Sequence, residues 1–297
     1  MRFLVIGASG FIGRYVLAEA RAQGFPAVGT QARSRQDGLA HFDLETDRIA
    51  DCVDRRFLEG EGPLCAVVSA VVSDMEKCLT DRAASRRINV EHTIRLVEDL
   101  LAFGARPVFF STGHVFDGTV GYYQEDFPYS PANEYARHKV EVEQYLRAHV
   151  PTALITRFDK VLGSNPRERH LLTEMHGLIQ QGKPVVCVEG MWISPTLVQD
   201  VARGVVLGCE RGLSGVYHLA NPECFTREEL ARQFCHALGR PANVLCRPLK
   251  DFGFKDNRAL KSYLDGGKFV RATGFRYTTM REVFTAFIQQ LPTCPPS

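Results

Sequence analysis

The chain reads as an α/β protein built on a doubly wound parallel sheet, with a smaller C-terminal domain beside it. Three observations predict this: the apolar run Arg2 to Ile6 leads straight into Gly7-x-x-Gly10-x-x-Gly13; strand-length apolar runs then alternate with helical periodicity through the first half; and the fourth of them, Cys65 to Val72, is a continuous apolar run, as expected for a parallel strand covered on both faces. With 297 residues, 45% hydrophobic and 24% charged, the chain can bury a large core and is neither disordered nor membrane-like in composition. The net charge of +2 singles out no partner, and the nearest approach to a basic block, Arg167-Glu-Arg169, carries its own counter-charge. No nucleic-acid partner is expected.

The strand Arg2 to Ile6 delivers a glycine turn. From Phe11, the residues Ile12, Tyr15, Val16, Leu17 and Ala20 recur at helical spacing as far as Gly24. Gly7, Ser9, Gly10, Phe11, Ile12 and Gly13 therefore sit at a strand-to-helix junction where unpaired backbone N–H groups face outward. Such a junction binds anions, and glycines without a Cβ let a pyrophosphate lie against the backbone while the helix packs on its strand. A bound dinucleotide is expected; a glycine-rich structural turn is the alternative. Pro26 to Gly29 reads as the second strand. No Asp or Glu, which would take ribose hydroxyls, stands between Val28 and Gln36, whereas Arg33 and Arg35 stand where a 2′-phosphate would lie. NADP(H) is thus expected over NAD(H), with two solvated loop arginines as the alternative. A third strand, His41 to Leu44, places Asp43 to accept from the adenine amino group or to cap a helix. The fourth, Cys65 to Val72, carries small residues at Ser69, Ala70 and Val71 that leave room for the cofactor. Arg82 to Phe103 follows as one helix with Val90, Ile94, Val97 and Leu101 on one face and Gly104 closing it. Arg106 to Ser111 is the fifth strand.

The chemistry-bearing residues come next. Tyr135 and Lys139, at i and i+4, share one face of a helix that begins near Tyr135 and runs through Val142 and Leu146. A free phenol titrates near pH ~10, and an ammonium close by stabilises the phenolate, so Lys139 is expected to tune Tyr135 as a proton donor. Thr112, 23 residues before Tyr135 at the end of the fifth strand, is placed to hold a carbonyl oxygen, with Ser111 as the spare hydroxyl. An exposed amphipathic helix face is the bland alternative for the Tyr-Lys pair. His114 beside this strand end is expected to hydrogen-bond the backbone, with a direct part in catalysis as the alternative. No His/Cys/Asp cluster suggests a metal.

At this point the chain resembles an extended short-chain dehydrogenase/reductase, a Rossmann-type fold, and is most similar to the dTDP-4-dehydrorhamnose reductase group. The resemblance rests on Gly7-Ala-Ser-Gly-Phe-Ile-Gly13, Asn89-Val-Glu-His-Thr93, Phe110-Ser-Thr-Gly-His-Val-Phe-Asp-Gly118, Tyr135 to Lys139, Asp200-Val-Ala and Gly215-Val-Tyr-His-Leu-Ala220. It implies hydride transfer between a nicotinamide and a keto group on a nucleotide-linked sugar, with Thr112, Tyr135 and Lys139 matching the family's catalytic hydroxyl, tyrosine and lysine. Gly113-His114 replaces the usual Asp-Tyr, Arg258-Ala-Leu-Lys-Ser-Tyr-Leu-Asp265 replaces a late Arg-Pro-x-Asn-Ser-x-Leu-Asp, and Arg157-Phe-Asp-Lys160 departs from Arg-x-Ser/Asn. All three departures fall on the substrate side. Epimerisation or dehydration with a recycled cofactor uses the same Tyr-Lys pair and stays open. So does a non-catalytic, NADP-binding regulatory subunit like the beta subunit of methionine adenosyltransferase, although that role gives no reason to keep Thr112, Tyr135 and Lys139 together.

In the second half Leu154 to Arg157 resembles a sixth strand, Leu171 to Gln181 a helix, Ser194 to Gly208 a helix with Leu197, Val201 and Val205 inward, and Gly215 to Ala220 the last strand. The expected division is a dinucleotide-binding domain over 1–162, rejoined by 194–221, and a substrate-binding domain over 163–193 and 222–297. The latter includes a helix from Thr226 to Leu238 with Glu229 at capping-box spacing. Arg167, Arg169, Lys255, Arg258 and Lys261 are candidates to hold a nucleotide diphosphate, with Arg167, Arg258 and His114 preferred as substrate contacts. Tyr122, Tyr123, Phe127 and Tyr129 are candidates to stack on a sugar or base, or to pack. Nine cysteines, Cys52, Cys65, Cys78, Cys187, Cys209, Cys224, Cys235, Cys246 and Cys294, never form Cys-x-x-Cys and mostly lie in apolar runs, which fits reduced thiols in a cytoplasmic protein. No signal-peptide cleavage site follows the first apolar run, and no apolar stretch approaches membrane-spanning length. A homodimer is left open.

Overall fold

The structure, a computed structural model, describes residues 1–292. Seven strands form the central sheet: β1 (Arg2–Ile6), β2 (Ala27–Gln31), β3 (Leu39–His41), β4 (Leu64–Val68), β5 (Arg106–Phe110), β6 (Leu154–Arg157) and, after four short strands, Gly215–His218. The four are β7 (Lys160–Leu162), β8 (Val185–Val188), β9 (Trp192–Ile193) and β10 (Pro195–Leu197), so the seventh sheet strand is β11; β12 (Phe225–Thr226) and β13 (Val244–Arg247) follow. The sheet order is β11-β6-β5-β4-β1-β2-β3 and every pairing in it is parallel. The order reverses at β1, where a crevice opens at the carboxyl ends of the strands. The doubly wound parallel sheet expected from the alternation of runs is therefore present, last strand included.

Alternate residues of the strands face opposite layers. Leu4, Ile6, Ala66, Val68 and Phe109 pack with residues of α6 (Thr93–Leu101) and α7 (Glu134–His149). Phe3, Val5, Cys65, Val67 and Val108 pack instead with α1 (Phe11–Ala22) and α9 (Val198–Glu210). Between α1 and α6 lie α2 (Ile49–Cys52), α3 (Arg55–Leu58), α4 (Met75–Thr80) and α5 (Arg82–Arg86), and α8 (Leu171–Gln180) precedes α9. A third apolar cluster joins Leu172, Met175 and Val185 to Phe234 of α10 (Arg227–Ala237) and to Val283 and Phe287 of α12 (Met280–Gln289), which follows α11 (Gly267–Thr273). Small pairs β10–β7, β12–β9 and β13–β8 edge this part. The expected capping box is present: Thr226 Oγ1 accepts from Glu229 N at 3.0 Å and Glu229 Oε2 from Thr226 N at 2.8 Å.

Several boundaries differ from expectation, each for a local reason. The third strand ends at His41, because Phe42 and Leu44 turn into the core and Asp43 Oδ1 accepts from Glu45 N at 2.9 Å in a tight turn. The fourth ends at Val68: Ser69 Oγ bonds Ile6 O at 2.7 Å, and beyond it Val72 exchanges two bonds with the Asn89 amide. That amide sits in a π-helical turn, Arg87–His92, which divides the single helix expected over Arg82 to Phe103 into α5 and α6. Such turns aim a side chain that a regular helix would misplace. Leu101, expected inward, is exposed. The second strand starts one residue later and ends two later than expected, and α9 starts at Val198 because Pro195–Leu197 pair with β7. Cys294 lies outside the described residues.

Candidate active site

Two cavities meet at the carboxyl edge of the sheet. The first, of about 540 Å³, is lined by Gly7, Ser9 and Gly10, by Arg33, by Asp43 and Leu44, and by Ser69, Ala70 and Val71. At its floor Gly7 has φ +83°, and a Cβ there would lie 2.9 Å from Ala70 N; a Cβ on Gly13 would lie 2.4 Å from Gly7 O. The glycines are thus required by close approach of strand, turn and helix. Gly10 is exposed at the start of α1 and no side chain caps that helix, so its first N–H groups are free to meet an anion. These features fit the pyrophosphate of a dinucleotide. Arg35 lines an adjoining hollow, not this crevice. Phe11 lines neither cavity: its ring lies 6.1 Å from that of His170. Ile12 faces the second cavity.

The second cavity, of about 580 Å³, brings Ser111, Thr112, His114 and Tyr135 together with Asp159, Lys160, Arg227 and Arg258, among apolar residues that include Met75, Val186, Met191 and Phe254. Thr112 leaves β5 in extended conformation, and its Oγ1 accepts from His114 N at 3.2 Å, which holds the turn after the strand. Asn133 caps α7 through Ala136 N at 3.0 Å, so Tyr135 falls in the first turn and Lys139 one turn later. Lys139 is 4% exposed; its Nζ donates to Phe110 O at 2.6 Å, 4.5 Å from the Phe109 ring centroid and 5.7 Å from that of Tyr135.

The electrostatics correct the expected tuning. Burial, with the Cys78 thiol nearby, pushes the Tyr135 phenol above its ordinary range. Burial also pulls the Lys139 ammonium down to about 7, against the opposing pull of Glu143 and Cys78. In this geometry, then, the phenol holds its proton and the lysine is only partly charged near neutrality, so burial outweighs what Lys139 does to favour the phenolate. Ser111 is no spare hydroxyl, because its Oγ donates to the buried Glu143 Oε1. His114 is held near 4 by burial and by the Arg258 and Lys160 charges, so its imidazole is neutral, and its Nδ1 has no partner among the described residues.

Of the cationic candidates only Arg258 lines the cavity, tied to Glu76 Oε1 at 3.0 Å and lying 4.6 Å from the Phe254 ring centroid. Arg167 and Arg169 are exposed and Lys255 is on the surface, and neither they nor Lys261 reach the cavity lining. The aromatic candidates also stay out of it: Tyr123 is stacked on Phe116 at 4.3 Å, Tyr129 bonds Glu143 at 2.9 Å, and Tyr122 and Phe127 are exposed. Two cations were missed. Burial and the Arg227 charge lower Lys160, burial lowers Arg227, and Arg227 Nε is buried without a partner among the described residues. The only sequence signal for Lys160 was its place in Arg157-Phe-Asp-Lys160; Arg227, first residue after the Thr226 cap, carried none.

The family model for the RmlD substrate binding domain matches residues 1–293. A probable dTDP-4,6-dihydroxy-2-methyloxan-3-one 4-ketoreductase of Streptomyces antibioticus is 29% identical over 243 residues, covering 78% of this chain and 76% of its own. Methionine adenosyltransferase 2 subunit beta of Bos taurus is 27% identical over 258 residues, covering 84% and 75%. The fold is shared with a dTDP-4-dehydrorhamnose reductase from Bacillus anthracis str. Ames in complex with NADP, at a TM-score of 0.83 and 19% identity over 98% of this chain and 99% of that one. The chain belongs to the RmlD substrate binding domain family, the sugar-nucleotide reductase group of extended short-chain dehydrogenases to which its motifs pointed.

Proposed function

We propose that this chain is a cytoplasmic, NADP(H)-dependent reductase of a keto group on a nucleotide-linked sugar. The observation that carries the reading is the shared cavity of Thr112 and Tyr135, opening beside the glycine-lined crevice. Gly7, Ser9, Gly10 and the first turn of α1 hold the pyrophosphate, Ser69 to Val71 flank the cofactor, and Arg33 with Arg35 meets the 2′-phosphate. When bound, the nicotinamide supplies the hydride. Tyr135, its phenol kept protonated by burial, gives its proton to the carbonyl oxygen as charge develops there, and Thr112 holds that oxygen. In the molecules where Lys139 carries its proton, its ammonium stabilises the phenolate left behind, and a proton from solvent then restores the phenol. Lys160, Arg227 and Arg258 face the diphosphate, and the neutral His114 bonds a sugar oxygen. In this reading residues 1–162 and 194–221 serve the cofactor, and 163–193 with 222–297 serve the substrate.

A panel of nucleotide-linked 4-keto sugars assayed for net NADPH oxidation, with products identified, tests the reading. Stoichiometric oxidation supports it; conversion that leaves the cofactor pool unchanged makes the chain an epimerase or dehydratase. The likeness to methionine adenosyltransferase beta subunits favours a second reading, a cofactor-binding regulatory subunit. Turnover of nothing in the panel, together with NADPH binding and copurification with a larger enzyme, selects it.

A further inference from the structure

Glu143 lies on the helix face of Tyr135 and Lys139, two turns beyond the one and one turn beyond the other. It is fully buried, and its two carboxylate oxygens accept from three other segments. Ser111 Oγ donates to Oε1 and Tyr129 OH to Oε2 at 2.9 Å. Arg157, also fully buried, donates through Nε at 3.0 and 3.2 Å and through Nη2 at 2.6 Å. Ser111 immediately precedes Thr112, and Arg157 ends β6 just before the cavity-lining Phe158, Asp159 and Lys160. Beyond the carboxylate, Arg157 Nη1 donates to Glu125 O at 3.2 Å and lies 3.4 Å from His218 Nε2. One carboxylate therefore ties together the helix that carries the phenol, the strand end that carries the threonine, and the strand end that leads to the substrate cations.

We propose that Glu143 is the positioning residue of this site: through Ser111 and Arg157 it sets the Thr112 hydroxyl against the Tyr135 phenol, and from one turn along α7 its carboxylate balances the Lys139 ammonium. The inference rests on the reductase reading for its kinetic part and stands apart from it for the rest. A core ion pair kept only for stability is weakly favoured, since packed apolar side chains do as well. A fully bonded carboxylate beside reacting groups has a further use, because misplacing those groups by about an ångström costs orders of magnitude in rate. Around Lys139, Tyr135, His138 and Glu143 come from its own helix, Cys78 from α4, and the Phe110 carbonyl from β5, while Arg157 offsets part of the Glu143 charge from β6. Of these groups, Glu143 and Cys78 favour the charged lysine, with Glu143 the larger.

Two variants of the full chain test this. Glu143→Gln keeps the shape and removes the charge; Ser111→Ala cuts one link while leaving the ion pair whole, and it decides the matter if Glu143→Gln does not fold. On a 4-keto nucleotide sugar turned over by the wild type, kcat should fall roughly 10-fold in Ser111→Ala and roughly 100-fold in Glu143→Gln, with KM and NADPH Kd within about 3-fold. NMR of ¹³C-labelled lysine, with Lys139 assigned by its loss in Lys139→Met, should show the Lys139 titration midpoint falling in Glu143→Gln. Folded variants whose kcat stays within about 2-fold of wild type, or a Lys139 midpoint that does not fall, overturn the proposal. If the wild type turns over no substrate, the reductase reading fails, and the Lys139 titration alone decides this one.

Discussion

Replacing Lys139 by Met should stabilise the unliganded protein while abolishing its chemistry. Burial drops the ammonium from 10.5 to about 7. An unfolded chain keeps that proton up to its ordinary pKa, whereas the folded chain sheds it above about 7. Between the two values the unfolded state holds the extra proton, so the lysine's contribution to stability rises with pH across that window and is least favourable below it. At 1.36 kcal/mol per pKa unit the cost of the buried charge is roughly 5 kcal/mol at and below neutrality. Met matches the stem beside the Phe109 ring but leaves Phe110 O without its donor, which returns roughly 1–3 kcal/mol. A net gain of roughly 2–4 kcal/mol at pH 6.5 remains, visible in calorimetry as a Tm higher by several degrees. The gap between variant and wild type should close as the pH is raised toward 10. A variant no more stable than wild type at pH 6.5, with a gap that ignores pH, would refute the claim that the charge is held at a cost.

Three further outcomes follow from the same geometry. Tyr135→Phe removes one oxygen, so turnover should drop by roughly 100-fold or more while NADPH affinity and Tm stay near wild type; full activity would place the proton donor elsewhere. The double change Arg33→Ala with Arg35→Ala should weaken NADPH and leave NADH nearly unchanged by calorimetric titration, and equal losses would remove both arginines from the phosphate site. Because Arg33 lines the crevice and Arg35 the hollow beside it, the single Arg33→Ala should account for most of the loss. Arg227→Met relieves a crowded cation, so it should raise Tm without ligand and diminish the thermal shift given by a nucleoside diphosphate; an undiminished shift would exclude contact with the phosphates.

The sheet was legible because its signals are local. β4 is an uninterrupted apolar run and β1 and β5 are apolar after a single leading arginine, each covering helix has its own periodicity, and Gly7 to Gly13 mark a junction that packs too closely for a Cβ. Thr112, Tyr135 and Lys139 were legible for the same reason, as positions on one strand end and one helix face. What failed depended on distant partners. The helix over 82–103 divides because the Asn89 amide reaches back to Val72, seventeen residues away. Arg167 and Lys255 have the right chemistry for phosphate, yet their backbones turn them outward, whereas Arg227 is delivered to the cavity by a capped helix start in the third apolar cluster. The pKa tuning failed too, since i, i+4 spacing fixes neighbourhood and says nothing of burial, which here outweighs the pair's mutual attraction.

The charge distribution of the substrate cavity bears on what it accepts. Lys160, Arg227 and Arg258 come from β7, from the start of α10 and from the segment before α11, and Lys160 feels both of the others as repulsion. Only Arg258 has an acidic ion-pair partner among the described residues, Glu76. The one carboxylate lining the cavity among the described residues, Asp159, is occupied with Ser262 Oγ at 2.6 Å and Ser194 N at 2.9 Å, and burial raises it. Asp159 and Glu174 compensate Lys160 and Arg227 in part, and a bound anion adds its own attraction to all three cations while offsetting the repulsion that remains. The neutral His114 among them adds no repulsion and still offers a hydrogen bond. An uncharged keto sugar would leave that repulsion in place, whereas a sugar carried on a diphosphate relieves it while bringing its carbonyl to Thr112 and Tyr135.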